Sequence, residues 1–450
     1  MNSAWIDEPV AVLAVLLAVL AGLFFAAGRP AGARFFRVVP LLIFAYFIPT
    51  ALSNIGLIPL KSPIYDLIKT WLLPASLLLL TMSVDIPAIM KLGRNVLILF
   101  AGGTLSIVIG GPLAYLALGG LIPPQTEIVE REQDTAVVNQ DNVASDAETE
   151  AESVPRDQIW KGLAALSGSW IGGGANFVAI GESVGTTDSM LGTMVVIDVV
   201  LANLWMAVLL FFAANEKQMD ARLGADRSAL DDVKQRIESY HKEVSRETTL
   251  ETLFSILAIA FGGTVIATYL GNFVASSVES AAANEEILTS VRRLAAEVDK
   301  ILNPFAWTVI FVTALGVAAS FTRLRRLEGA GASKIGSLFL YLLVASIGAK
   351  AEFVRVADTP VLLLIAALWI AIHAAFLLAL RWILKAPVFF LAVGSQANIG
   401  GAASAPIVAG AFHPSLAPVG ALMGVLGYVV GTYAGLLCAY LLQLVHGVYY

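Results

Sequence analysis

Apolar runs of about 20 residues, each long enough to cross a bilayer as a helix, recur at 10–28, 38–59, 71–90, 95–119, 189–213, 250–274, 303–322, 335–353, 361–380 and 416–442. Within a bilayer no water pairs the backbone, so runs of this kind fold as helices. The composition agrees, with 58% hydrophobic and 14% charged residues and a mean hydropathy of +0.80. The expected fold class is an all-α polytopic membrane protein with ten transmembrane helices. The first run is long for a signal peptide and lacks a small-residue cleavage site, so it counts as a span. The net charge of -6 argues against a nucleic-acid partner, which needs a basic face. One cysteine, Cys438, leaves no internal disulfide.

Two further stretches break the pattern. They are Gly168-Ser169-Trp170-Ile171-Gly172-Gly173-Gly174-Ala175-Asn176 and Gly394-Ser395-Gln396-Ala397-Asn398-Ile399-Gly400-Gly401-Ala402-Ala403-Ser404. Glycine weakens a helix, and unpaired backbone costs several kcal/mol per group in hydrocarbon, so such stretches persist only where protein or a wet cavity surrounds them. Paired broken segments point to a transporter site. The expectation is a non-helical backbone around Gly172–Gly174 and Asn398–Gly401, with the two segments meeting inside the membrane.

The chain also repeats itself. Val96–Ala101 matches Val361–Ala366 at an offset of 361 - 96 = 265, which also pairs Asp85 with Lys350. Gly168-Ser169 matches Gly394-Ser395 at 394 - 168 = 226, as Ser189 matches Ser415. An acidic insertion in 120–158 explains the change of offset. The domains read as a first repeat over 1–213, a cytoplasmic charged linker over 214–249 and a second repeat over 250–450. His241 lies on the linker as a solvated residue, and 284–300 has the spacing of an amphipathic helix.

Lys and Arg in short loops favour the cytoplasmic side. If both broken segments are re-entrant, the inside loops hold Arg29, Arg34, Arg37, Lys91, Arg94, Arg323, Arg325, Arg326, Lys334, Arg381 and Lys385, against Lys61, Lys69, Lys350 and Arg355 outside. If both cross fully, the better orientation gives eight inside and seven outside. Short loops thus favour re-entrant segments in two inverted repeats; adding the long loops leaves the alternatives level.

Asp198 lies inside an otherwise apolar run, where a carboxylate is costly and usually binds a cation or a proton. It is the leading candidate for ion coupling, with a sodium site beside it. Ser169, Asn176, Ser395, Gln396, Asn398 and Ser404 offer oxygen ligands, and Gly172, Gly173, Gly174, Gly400 and Gly401 offer free backbone groups and half-helix N-termini that attract anionic groups. His373 reads equally as a proton relay or a structural histidine, and Asp85, Lys350 and Glu182 as gate residues or interfacial charges. No cofactor is expected beyond sodium or a proton as coupling ion, and no ATP-binding motif is present.

The stretches 168–182, 336–353, 394–410 and 424–436 resemble the YjcL-like family of bacterial membrane proteins of unknown function. That family is similar to the superfamily of cation:proton antiporters, bile-acid:sodium symporters and glutamate:sodium symporters. The resemblance implies an inverted-repeat fold with crossed broken elements, a mobile core domain, a scaffold domain that forms a homodimer, and a place in the bacterial inner membrane. It implies no substrate, and the paired aspartates of electrogenic sodium/proton exchangers are missing. The resulting expectation is a secondary active transporter, not an enzyme. It moves a small polar or anionic organic solute with sodium or a proton by an elevator motion. A cation/proton antiporter without organic substrate and a membrane-embedded enzyme are the alternatives.

Overall fold

A computed structural model describes residues 4–30, 32, 35–36, 41–90, 92–122, 156–225, 248–284, 289–350, 360–413 and 416–449. Most of the acidic insertion 120–158 and of the linker 214–249, including His241, lies outside the described residues, as do Arg34, Arg37, Lys91, Arg355 and Ser415. Every regular element is helical: α1 Pro9–Ala27, α2 Leu41–Asn54, α3 Pro63–Met82, α4 Arg94–Leu118, α5 Asp157–Gly172, α6 Gly174–Ser183, α7 Asp188–Ala214, α8 Leu250–Ala283, α9 Pro304–Ser320, α10 Ala332–Lys350, α11 Pro360–Leu384, α12 Val388–Ile399, α13 Gly401–Phe412 and α14 Ala417–Tyr449. The stretch 284–300 contains the helix Thr289–Ile301.

The chain is an all-α polytopic membrane protein. Among the described residues, 8 helices are long and apolar enough to cross a membrane, or 9 if Pro304–Ser320 is joined to Arg323–Ala330 across a 93° bend. This corrects the expected ten. Helix α2 is described over only 14 residues, and α9 has 17 before Arg323, Arg325 and Arg326 turn the chain aside. The run expected at 71–90 spans Pro63–Met82 instead. Its polar start is tolerated because Asp66 and Lys69 find partners: Lys350 Nζ lies 3.9 Å from Asp66, and Lys69 pairs with Glu182.

The two broken segments are helical hairpins. The chain turns at Gly173, after which α6 runs back along α5: Gly168 lies against Asn176 and Ile180, and Ala165 against Gly181. In the second segment the rings of Phe389 and Phe412, at the far ends of α12 and α13, sit 5.3 Å apart. Had these residues lain on one continuous helix, 23 positions would separate them by about 35 Å. Each segment thus folds back on itself, and the crossed elements implied by the family resemblance are absent from the described residues.

The breaks are also tighter than expected. Gly172 ends α5 and Gly174 begins α6, so only Gly173 leaves the helical path, at φ 77 and ψ -171, a conformation confined to glycine. Asn398 and Ile399 stay helical, and the second turn uses Gly400 and Gly401, the latter at φ 57. The tips touch: a Cβ added to Gly401 would lie 3.5 Å from the Gly173 Cα. Protein surrounds both, and every residue of α12 is buried.

Helix α14 makes that arrangement feasible. Gly420, Gly424, Gly427, Gly431 and Gly435 form a small-residue stripe along it. Gly420 and Gly424 face α13, while Gly427, Gly431 and Gly435 face α5 and α6. A Cβ at Gly427 would come within 2.9 Å of the Ile171 carbonyl oxygen, so only bare backbone fits this contact. Around the hairpins, α4 packs on α11 and α12, and α14 on α4, α5, α12 and α13. Separately, α10 packs on α2 and α3, and α9 on α3 and α8.

Candidate functional site

Helix α7 runs past both hairpins and touches each with a polar side chain. Near the first tip, Ser169 Oγ donates to Asp198 Oδ2 at 2.6 Å and Trp170 Nε1 donates to Oδ1 at 2.8 Å. Two turns further along the same face, Trp205 Nε1 donates to Ser395 Oγ in α12 at 2.7 Å. One helix thus grips both hairpins through a serine of each.

Asp198 opens on a pocket lined by Tyr46, Ser169, Gly174, Phe177, Val178, Val195, Asp198, Val199, Val344 and Ile347. These residues come from α2, α5, α6, α7 and α10. Asp198 is the sole acid among them, and they include no lysine, arginine or histidine. Tyr46 is 2% exposed, and its hydroxyl has no hydrogen-bond partner among the described residues.

Of the candidate ligands, Ser169, Gly174 and Asp198 share this pocket. The others serve elsewhere. Asn176 braces the first hairpin against α14: its Nδ2 donates to the Gly172, Gly427 and Tyr428 carbonyls, and its Oδ1 accepts from Thr432 at 2.8 Å. Asn398 braces the second against α4, donating to the Gly394 and Phe100 carbonyls and accepting from Thr104 at 2.8 Å. Gln396 donates to Ser404 at 2.6 Å, and its Oε1 is a buried oxygen without a partner among the described residues. Gly172, Gly173, Gly400 and Gly401 form the tips. Because the C-terminus of α5 and the N-terminus of α6 meet at Gly173, their opposite partial charges largely cancel there. The anion-attracting half-helix end expected from sequence is therefore weak at this tip.

His373, 1% exposed, has both ring nitrogens occupied, Nδ1 by Ser106 and Nε2 by Ser395, each at 2.7 Å. Asp85 pairs with Arg325 at 2.7 Å. Lys350 pairs with Asp188 at 3.0 Å, and Glu182, 7% exposed, pairs with Lys69. Asp85 and Lys350 lie at opposite ends of antiparallel α3 and α10, which are registered by the hydrogen bond from Ser76 to the Gly336 carbonyl.

Sequence reasoning missed Tyr46, Phe177, Val195, Val199, Val344 and Ile347, because apolar wall residues look like any others of a membrane helix. Trp170 and Trp205 did carry a signal. Trp170 sits inside the first glycine motif, and Trp205 lies seven residues from Asp198, which places both on one face of α7.

The pocket and the tip-to-tip hairpins lie within the part of the chain that matches a known family. The family described as "Protein of unknown function (DUF819)" matches residues 14–129 and 153–445. The chain is also similar to a Bacillus subtilis (strain 168) protein described as "Uncharacterized membrane protein YjcL", with 23% identity over 401 residues that cover 85% of either chain. The multi-pass architecture fits the expected place in the bacterial inner membrane, and the relative is itself described as a membrane protein. With its family match extending through both hairpins and almost all described spans, the chain belongs to the DUF819 family of proteins of unknown function.

Proposed function

We propose that the protein is a secondary active transporter of a small organic solute, coupled to sodium or a proton at Asp198. The observation that carries this reading is the meeting of two re-entrant hairpin tips within protein, beside a single carboxylate that lines a pocket. Broken segments whose tips meet at a cavity are how many secondary transporters build a site.

The repeat supports an inverted arrangement. Helices α4 and α11, related by the offset of 265, pack antiparallel: the Ile107 carbonyl accepts from Trp369 at 2.9 Å, and Ser106 meets His373. The sequence equivalent of Ser106 is residue 106 + 265 = 371, so the two helices meet at nearly equivalent positions, as a two-fold axis between repeats requires. The abutting Gly173 and Gly401, also matched in sequence apart from a slip of two, would lie near the same axis. In this reading α4–α7 and α11–α14 form the moving core, and α1–α3 and α8–α10 form the scaffold, which would form the homodimer. The pocket, walled by α2 and α10 on one side and α5–α7 on the other, then lies where an elevator motion would slide. Kinship with the cation:proton antiporter and bile-acid:sodium symporter superfamily belongs to this proposal.

An enzyme reading gains little from the site. His373 meets Ser395, but Asp198 bonds elsewhere and the second ring nitrogen faces a serine, so no acid–histidine–serine series forms. Reconstitution into proteoliposomes tests the proposal. Uptake of labelled solutes driven by a sodium or proton gradient is the expected result. Gradient exchange between sodium and protons without any solute would replace it with the exchanger reading. No flux of either kind, from protein shown to be folded, would overturn transport.

A further inference from the structure

The charge and shape of the Asp198 pocket restrict what it holds. Its lining offers one carboxylate, no basic side chain, the aromatic residues Phe177 and Tyr46, and the apolar Val199 and Ile347. An anionic solute would face Asp198 without a positive partner, a repulsion poorly screened in a buried site. The cancelling helix ends at Gly173 give it little help. A cation with an apolar body fits each part: the charge meets Asp198, neighbouring aromatic rings suit a cation, and the body covers the valine and isoleucine side chains. Asp198 Oδ2 and Oδ1 already accept from Ser169 and Trp170, so the carboxylate is held in place with lone pairs to spare. The unpartnered Tyr46 hydroxyl is a second, independent sign of a polar ligand, because a buried hydroxyl left alone costs about 1–3 kcal/mol.

We infer that the Asp198 pocket binds an organic ammonium with a short apolar body, and that this solute and the coupling ion occupy the same carboxylate in turn. A single carboxylate balances one positive charge. When sodium or a proton neutralises Asp198, the solute loses its partner; when the solute binds, the ion leaves. Exclusive occupancy makes the protein an exchanger of organic cation against inorganic cation. The inference rests on the transport reading for its movement step, but the binding step stands by itself.

The test compares three probes of one body on the purified full-length protein in detergent: hexylammonium, hexanoate and hexanol. Hexylammonium should raise the unfolding temperature saturably, while hexanoate and hexanol should not. Raising sodium or lowering pH in the wild-type protein should weaken hexylammonium binding competitively, a readout that needs no variant. Asp198→Asn should weaken binding about 10- to 100-fold. Tyr46→Phe, which removes a buried hydroxyl without changing the ring, should fold at least as well and weaken binding about fivefold. Preferential binding of hexanoate, or hexylammonium binding unaffected by both sodium and pH, would overturn the inference. A transport arm separates the two proposals: vesicles loaded with sodium or acidified inside should accumulate hexylammonium beyond protein-free vesicles under the same gradient. Binding without such flux would sink transport and leave the site; sodium-driven uptake of hexanoate would support transport and overturn the ammonium site.

Discussion

Ser169 donates its hydroxyl hydrogen to Asp198 at 2.6 Å, tying the first hairpin to α7, a helix that touches both hairpins. The bond orients the carboxylate, and a hydroxyl donates best to an ionised acceptor. Ser169→Ala should lower the affinity for the coupling ion about 10- to 100-fold, since a hydrogen bond to a charged group contributes about 1.5–3 kcal/mol. Ser169→Thr should retain most of it. Gradient-driven flux measured against ion concentration checks both variants; equal curves for wild type and Ser169→Ala would remove Ser169 from the site.

Asp198→Asn keeps the shape of the side chain and removes its charge. The protein should insert and fold, while flux loses its dependence on the ion gradient. Full gradient-driven transport by this variant would show that the coupling charge lies elsewhere.

The turn at Gly173, with φ 77 and ψ -171, holds no side chain without strain. Gly173→Ala should cost about 1–3 kcal/mol of stability. Gly22→Ala is the matched control. It lies inside α1 with nothing near the added Cβ, and should be neutral or stabilising by up to about 1 kcal/mol. Unfolding temperatures in detergent decide the comparison, and equal shifts for the two variants would contradict the hairpin turn.

The second hairpin makes a geometric prediction. Cysteines at Phe389 and Phe412, in a background with Cys438 replaced by alanine, should be joined by a short bifunctional thiol reagent, since the rings lie 5.3 Å apart. A straight crossing would separate them by about 35 Å and give no product.

Two ion pairs connect the helices around the hairpins to the others at one end, Lys69 with Glu182 and Lys350 with Asp188. Glu182 and Lys350 follow the pocket residues Val178 and Ile347 by about one helical turn, so these pairs lie over the pocket. Lys69→Met leaves a buried carboxylate unpaired and should destabilise more than Lys69→Met combined with Glu182→Gln. A double-mutant cycle on stability should give a coupling of about 1–2 kcal/mol. Zero coupling would mean the pair holds nothing together.

Much of this architecture was legible in the residues. Apolar run length marked most of the spans, though not their number, and glycine spacing marked the breaks. These features depend on local chemistry, namely helix propensity and backbone pairing in hydrocarbon. Tertiary structure decided the rest. Asn176 and Asn398 offer the same amide chemistry as a ligand would, and only their contacts with α14 and α4 show that both are taken up in bracing. Lys69 and Glu182 lie more than 100 residues apart, so their pairing depends on packing alone. The pocket itself arises where α2 and α10 face α5–α7. Its apolar walls are residue types found on every span, and their role comes from which surfaces the fold leaves opposite Asp198.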